Sequence, residues 1–427
     1  MGTKIAVIGG GSTYTPELVD GLARRADRLP IDELVLLDIE PERLDVVGGL
    51  ARRMLARVGW QGSLVTTLDR DAALDGADFV LIQLRVGGQA ARLVDETLPP
   101  RFGTIGQETT GAGGFAKALR TVPLVLELAE LTRRRAAADA WIIDFTNPVG
   151  VVSQALLDRD YRAIGLCNVA ITLQRVVARR LGLEPDRVAL EHVGLNHLSW
   201  ERAARVDGVD RLPELIVRDG EALADEVGLP LAQLQRSGVI PSYYLRYFDR
   251  FDDVLRHQQE GGETRASEVM EIERQLLELY RDPDLDVKPA LLDDRGGAYY
   301  SEAAAQLIAS LHDGRGDTQV VDVRNDGAIP DLGPTDVVEV AARIDRDGAH
   351  PVAVSRLAED QRELVLQVKR YERLTIEAAM SGDRSIAREA LDAHPLVDSR
   401  VEVDALLDAL LEANERYLPR FFPTEVA

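Results

Sequence analysis

Lys4-Ile5-Ala6-Val7-Ile8-Gly9-Gly10-Gly11-Ser12-Thr13-Tyr14-Thr15-Pro16 is the stretch that decides the fold class of this chain. A short apolar run enters a glycine cluster, and Pro16 then suits the first turn of a helix. The pattern predicts a buried strand over 4–8, a tight turn, and a helix continuing to about Arg28. Glycine in such a turn lets the backbone approach a pyrophosphate, whose charge the helix N-terminus stabilises. The third glycine of Gly-x-Gly-x-x-Gly is missing, because Tyr14 stands in its place. Gly9, Gly10, Gly11, Ser12 and Thr13 therefore need support from elsewhere before they read as a dinucleotide site. Asp38 gives it, ending a second predicted strand at Leu34–Leu37. A carboxylate there accepts hydrogen bonds from a ribose diol and repels the extra phosphate of NADP. The competing reading is an Asp that only caps the next helix, predicted from about Pro41 to Val58. The strand–loop–helix–strand–Asp order favours dinucleotide binding, with NAD as the expected cofactor.

Further strands are expected at Phe79–Leu84, Trp141–Phe145 and Ala163–Leu166, with a helix from about Phe115 to Arg135. Alternating strands and helices imply a Rossmann-like, doubly wound parallel sheet of the α/β class over residues 1–166. From 167 to 427 the rhythm becomes helix-rich α+β, with a strand at Val188–Val193 and helices at Ser267–Arg281, Ser301–Leu311 and Leu357–Met380. This second domain is the expected home of metal binding, catalysis and oligomerisation. With Asn147-Pro148 after the strand Trp141–Phe145, the whole resembles lactate and malate dehydrogenase architecture, which also places an Asn-Pro at a strand end.

Composition narrows the function. The chain has 427 residues, a net charge of −22 and 45% hydrophobic residues, enough for a sizeable core. So acidic a protein lacks the positive field of nucleic-acid binders and is repelled by anionic membranes. No apolar run approaches the roughly 20 residues of a membrane-spanning helix. Cys167 is the one cysteine, which excludes an intramolecular disulfide. A cytoplasmic globular protein is expected, and any anionic substrate must be caught by local arginines or backbone N–H groups.

Polar groups at the carboxyl ends of parallel strands line the ligand crevice. Asn147 and Arg85 sit there, although Asn147-Pro148 also reads as a plain turn. Cys167 follows another strand, and a lone cysteine is usually a small buried hydrophobe. Gly194-Leu195-Asn196-His197 offers it a partner, and a thiolate with an imidazole suits zinc or a late first-row divalent ion. His192 reads as structural. Tyr243-Tyr244-Leu245-Arg246-Tyr247 packs three of the 10 tyrosines together, either as a packing patch or as the source of a base whose pKa a cation lowers. Arg265 either contacts an anion or is a solvated residue starting a helix.

Together, Ile8–Ser12 with Thr15–Leu18, Arg85-Val86-Gly87, Ile105-Gly106-Gln107-Glu108-Thr109, Phe145–Pro148, Gly165-Leu166-Cys167-Asn168-Val169, Gly194–His197, Thr264-Arg265-Ala266 and Arg295-Gly296-Gly297-Ala298-Tyr299-Tyr300 resemble glycoside hydrolase family 4, in particular its 6-phospho-β-glucosidases. The resemblance spans essentially the whole chain. Ala170 and Ala112 depart from it, each standing where the family usually has proline. The resemblance implies Cys167 and His197 as ligands of Mn²⁺ or another divalent ion, and Tyr244 as the proton-abstracting base with Tyr247 as second choice. It implies Arg85, Asn147 and Arg265 as substrate contacts, and Asn168 as the residue that marks β-linked substrates. It also implies NAD-dependent elimination: hydride leaves C3, a proton leaves C2, the aglycone departs from C1, water adds and the hydride returns. The implied substrate is a phosphorylated disaccharide or aryl glucoside, and the implied assembly a homodimer or homotetramer. Glu108 is a candidate donor to the leaving oxygen. A family 4 enzyme of other anomeric or phosphate specificity, a 2-hydroxy-acid dehydrogenase and a non-catalytic NAD sensor are the competing functions. Leu198 after His197 does not fit the Gly-x-His-Gly of the dehydrogenases.

Overall fold

The computed structural model describes residues 2–297 and 299–423. Ala298 of the Arg295–Tyr300 motif lies outside the described residues. Six strands run parallel: β1 (Thr3–Ile8), β2 (Ile31–Leu37), β3 (Ser63–Thr67), β4 (Phe79–Ile82), β5 (Trp141–Asp144) and β6 (Ala163–Gly165). Their spatial order is β3-β2-β1-β4-β5-β6, the doubly wound arrangement with its switch point between β1 and β4. β1 and β4 are apolar runs buried on both faces, as a parallel strand covered by helices requires. The first helix, Thr15–Ala23, stops short of the expected Arg28, whose guanidinium instead pairs with Asp313 at 2.9 Å and Asp317 at 3.2 Å.

The second half adds β7 (Ala189–Leu195), β8 (Leu198–Val206), β9 (Val209–Asp210), β10 (Ile240–Pro241), β11 (Asp317–Arg324), β12 (Val337–Asp345) and β13 (Gly348–Pro351). All pair antiparallel, and β11 joins β6 through Asp322 opposite Gly165, so the sheet continues from the parallel half into the second. Of these strands the sequence reading anticipates only the one near Val188–Val193. The strand in fact runs to Leu195 and turns back at Asn196-His197 into β8. Strand and helix signals are ambiguous in short runs such as Val337-Val338-Glu339-Val340, and the pairing of β11 with β12 resolves them. Helices Ser267–Arg281, Ser301–Leu311 and Leu357–Met380 are met at Arg265–Tyr280, Tyr300–Asp313 and Glu359–Ser381.

Candidate active site

A cleft of about 1600 Å³ opens along the carboxyl ends of β1, β2, β4 and β5. Gly9 (φ +88°) turns the backbone, and a Cβ there would lie 2.7 Å from the Gln83 carbonyl oxygen. Gly11 donates its N–H to Asp38 Oδ2 at 2.7 Å, while Asp38 Oδ1 accepts from the amides of Ile39 (2.8 Å) and Glu40 (3.1 Å). Asp38 thus holds the glycine loop and the start of the next segment together, and still lines the cleft. Gly9, Gly11, Ser12 and Asp38 are on its wall; Gly10 is buried against Leu36. Thr13, also expected in the cofactor set, does not line the cleft. It is fully buried, its hydroxyl accepts from Arg295 Nε at 2.7 Å and its carbonyl from Tyr280 at 2.7 Å, so it braces the loop from behind. Beyond Asp38 the wall turns apolar. Ile39 is 80% exposed and Leu68 54%, and with Leu124 and Leu128 they form a slot of the kind a flat purine covers.

At the other end, Thr146 ties the tips of β4 and β5 by donating to the Ile82 carbonyl (3.1 Å) and accepting from Leu84 N–H (3.3 Å). This brings Arg85 and Asn147 to one edge. The Asn147-Pro148 bond is cis, and Asn147 Oδ1 is buried without a hydrogen-bond partner at the cleft wall. Asn168 lines the same wall at the start of the helix Val169–Leu181. Arg265 opens the helix Arg265–Tyr280, where its guanidinium donates to the Asp294 carbonyl (2.7 Å) and pairs with Glu268 (2.6 Å) on the cleft rim.

Cys167 and His197 lie just behind this wall. Tyr300 donates to Cys167 Sγ at 4.0 Å, and the Tyr244 ring stacks on the His197 imidazole with centroids 3.8 Å apart. His197 sits in the tight turn between β7 and β8 at φ +65°, a left-handed conformation that few side chains adopt without a reason. Its Nδ1 is buried and unpaired, and burial lowers its pKa to about 4, so the ring is neutral and has a lone pair to offer. Burial, reinforced by Glu339, pushes the Cys167 thiol well up, so a thiolate there requires a cation. A soft donor and an unpaired imidazole nitrogen fit a late first-row divalent ion. Among the described residues no cluster of three or more His, Cys, Asp or Glu side chains could hold a metal. Tyr244 stands on the short turn Tyr243–Leu245 after β10, where Ser242 caps the turn and donates its own N–H to Ser199 (2.8 Å). Burial, with Tyr243 and Cys167 adding, raises its pKa well above the usual range, so it can act as a base only beside a positive charge. Tyr247 stands farther off, its ring 6.1 Å from that of Tyr244.

His192 is fully buried between Glu201 (2.7 Å) and Glu339 (2.9 Å). Burial opposes its charge, but the two carboxylates win and raise its pKa to about 10. It is held as a structural cation, away from the cleft.

Glu108, the candidate donor to the leaving oxygen, sits among cations. Its carboxylate meets Arg85, Lys117 Nζ at 2.7 Å and Arg92 Nε at 3.3 Å. Burial alone would raise its pKa, but Arg85, Lys117 and Arg92 hold it well below the carboxylate range. A carboxyl group held down in this way favours anchoring Arg85 over delivering a proton. Lys117, only 2% exposed, is lowered to about 7 by burial and Arg85 against the pull of Glu108. Lys117, Arg92, Tyr300 and Arg295 line the cleft without having been singled out from sequence. Arg295 and Tyr300 sat inside a quoted motif, whereas Lys117 carried a signal only as the lone lysine in the helix Gly111–Arg135.

The description Family 4 glycosyl hydrolase matches residues 4–183, and the C-terminal domain of the same family matches residues 192–397. The chain belongs to family 4 of the glycosyl hydrolases. It is 42% identical to a probable 6-phospho-beta-glucosidase of Bacillus subtilis, over 99% of this chain and 98% of the relative. It superposes with a TM-score of 0.91 and 36% identity on the 6-phospho-beta glucosidase of Thermotoga maritima solved with manganese, NAD⁺ and glucose-6-phosphate, covering 97% of this chain and 99% of that one. The malate dehydrogenase of Plasmodium falciparum shares the fold alone, at a TM-score of 0.51 and 14% identity, covering 93% of this chain and 100% of the other.

Proposed function

We propose that this family 4 chain is a 6-phospho-β-glucosidase, dependent on NAD and on Mn²⁺ or a similar divalent ion. The observation that carries the reading is Tyr244 stacked at 3.8 Å on an unpaired His197, beside Cys167 and at the end of a cleft that begins at Gly9–Gly11 and Asp38. A bound nicotinamide would supply reversible uptake of a hydride from the sugar, and a bound metal ion a Lewis acid. Gly9 and Gly11 let the dinucleotide approach the backbone, and Asp38 faces its ribose. Cys167 Sγ and His197 Nδ1 would hold the metal ion. Tyr244 removes the C2 proton, with its pKa brought down by that ion's charge. Asn147 contacts the sugar hydroxyls, Arg85 and Arg265 the 6-phosphate or the hydroxyls beside it. Asn168, next to Cys167, faces the anomeric side. A protein of net charge −22 thereby captures an anion through a local cluster of cations.

The test is hydrolysis of p-nitrophenyl β-D-glucoside 6-phosphate with NAD⁺ and Mn²⁺, alongside the α-linked and unphosphorylated analogues. Turnover of the phosphorylated β-glucoside alone, lost with EDTA or without NAD⁺, supports the reading; equal turnover without either cofactor overturns it. The same reading places the enzyme in the cytoplasm as a homodimer or homotetramer, which light scattering of the purified protein checks. Among the described residues no helix is long and apolar enough to cross a membrane.

A further inference from the structure

We propose that the C-terminal segment is part of the cofactor site, with Tyr417 contacting the adenosine half of the dinucleotide. This rests on the NAD reading above. Tyr417 follows the helix Val403–Ala413 on a short turn and lines the cleft. Its ring lies against the Gly87 backbone: a Cβ on Gly87 (φ +81°) would stand 2.9 Å from the ring carbons. Gly87 belongs to the loop after β4, which in a doubly wound sheet runs beside the bound dinucleotide.

The end of the cleft that Tyr417 faces is fixed by the helix Gly111–Arg135. Lys117, near its start, reaches Glu108 at the Arg85 end. Glu127, nearly three turns on, pairs with Arg70 at 2.9 Å, next to exposed Leu68 and on the Asp38 side. Leu124 lies between them and lines both the main cleft and a second cavity, as do Val86 and Tyr417. Tyr417 therefore meets the cleft midway along this helix, on the side where Leu124 begins the apolar wall.

A buried lock holds it there. Arg120 and Asp95 are both 0% exposed in their side chains and pair at 2.5 and 2.9 Å. Arg120 also donates to the Val86 carbonyl (3.0 Å) and to Asn414 Oδ1 (3.2 Å), and Tyr417 N–H donates to the Asn414 carbonyl (2.8 Å). One guanidinium thus joins the cofactor loop to the chain end that covers it. Arg120, Asp95 and Asn414 act as positioning residues, and the contact is Tyr417's.

The experiment is calorimetric titration of the full-length protein with NAD⁺ and with ADP-ribose, which keeps the adenosine half but lacks nicotinamide. For Tyr417→Ala the expected result is about tenfold weaker binding of both ligands, the scale of one lost base–aromatic contact. Tyr417→Phe should stay within about twofold, since the ring remains. Tyr417→Leu, which fills the site without a π face, should resemble the alanine variant and serves if that variant misfolds. Unchanged affinity in a folded Tyr417→Ala or Tyr417→Leu protein, or a loss for NAD⁺ that ADP-ribose does not share, overturns the proposal. A wild-type protein that binds neither ligand overturns the NAD reading itself, a failure visible before any variant is made.

Discussion

Glu108→Gln separates an anchoring carboxylate from a proton donor. The wild-type side chain faces Lys117 at 2.7 Å, Arg92 at 3.3 Å and Arg85, with only Arg85 substantially open to the cleft, at 25% side-chain exposure. At about 3 Å and an effective dielectric near 20, each contact is worth roughly 5 kcal/mol before desolvation is counted. Removing one partner of a buried pair costs about 3–5 kcal/mol, because the other charge is left uncompensated. Glutamine keeps hydrogen-bond acceptance and cleft water reaches Arg85, so the lower end, about 3 kcal/mol, is expected. For a protein of this size that lowers Tm by roughly 6 °C, at about 2 °C per kcal/mol. Calorimetric melting reads the stability, and steady-state kinetics on p-nitrophenyl and alkyl 6-phospho-β-glucosides reads the chemistry. The expected outcome is a fall in Tm, with KM raised alike for both substrates as Arg85 loses its orientation. An unchanged Tm with slowing confined to the poor alkyl leaving group would mean that Glu108 delivers the proton, and the electrostatic reasoning would be refuted.

Cys167→Ser and His197→Ala should each weaken Mn²⁺ binding by at least about 100-fold, beyond the 10–100-fold of losing an outer-shell partner, while NAD⁺ affinity stays near wild type; titration with each ion alone checks both. Gly9→Ala puts a Cβ 2.7 Å from the Gln83 carbonyl oxygen at a left-handed φ, so a loss of about 1–3 kcal/mol in urea unfolding should accompany weaker NAD⁺ binding. His192, raised from 6.5 to about 10, contributes stability that is full below pH 6.5 and fades as pH approaches 10. The gap between wild type and His192→Gln should therefore be widest at or below pH 6.5, at most about 5 kcal/mol, and close toward pH 10. A gap that widens with pH would mean that the imidazole is buried neutral.

The parallel half was legible because its signals are local. Apolar runs, glycines and Pro16 fall within a few residues of one another, and they place Asp38, Arg85, Asn147 and Cys167 at strand ends before any packing is known. Family motifs carried the candidate residues of the second half, although most of its strands went unread, because β11 and β12 are set in the sheet by β6 and β7, strands distant in sequence. The charge of Glu108 could not be read either. A glutamate in a motif is equally an acid or a base until its neighbours are known, and all three cations around it come from other segments of the chain. Thr13 looked like part of a phosphate loop, and only burial under Arg295 and Tyr280 turned it inward. Tyr417 carried no signal at all, since some 330 residues of chain must fold before it reaches Gly87. Sequence by itself determined the strand–loop–helix units and the residue types at their ends, because backbone geometry and hydrophobic period act over short range. Tertiary structure alone decided protonation, orientation and which distant residues line the cleft, because desolvation and charge depend on what packs close in space.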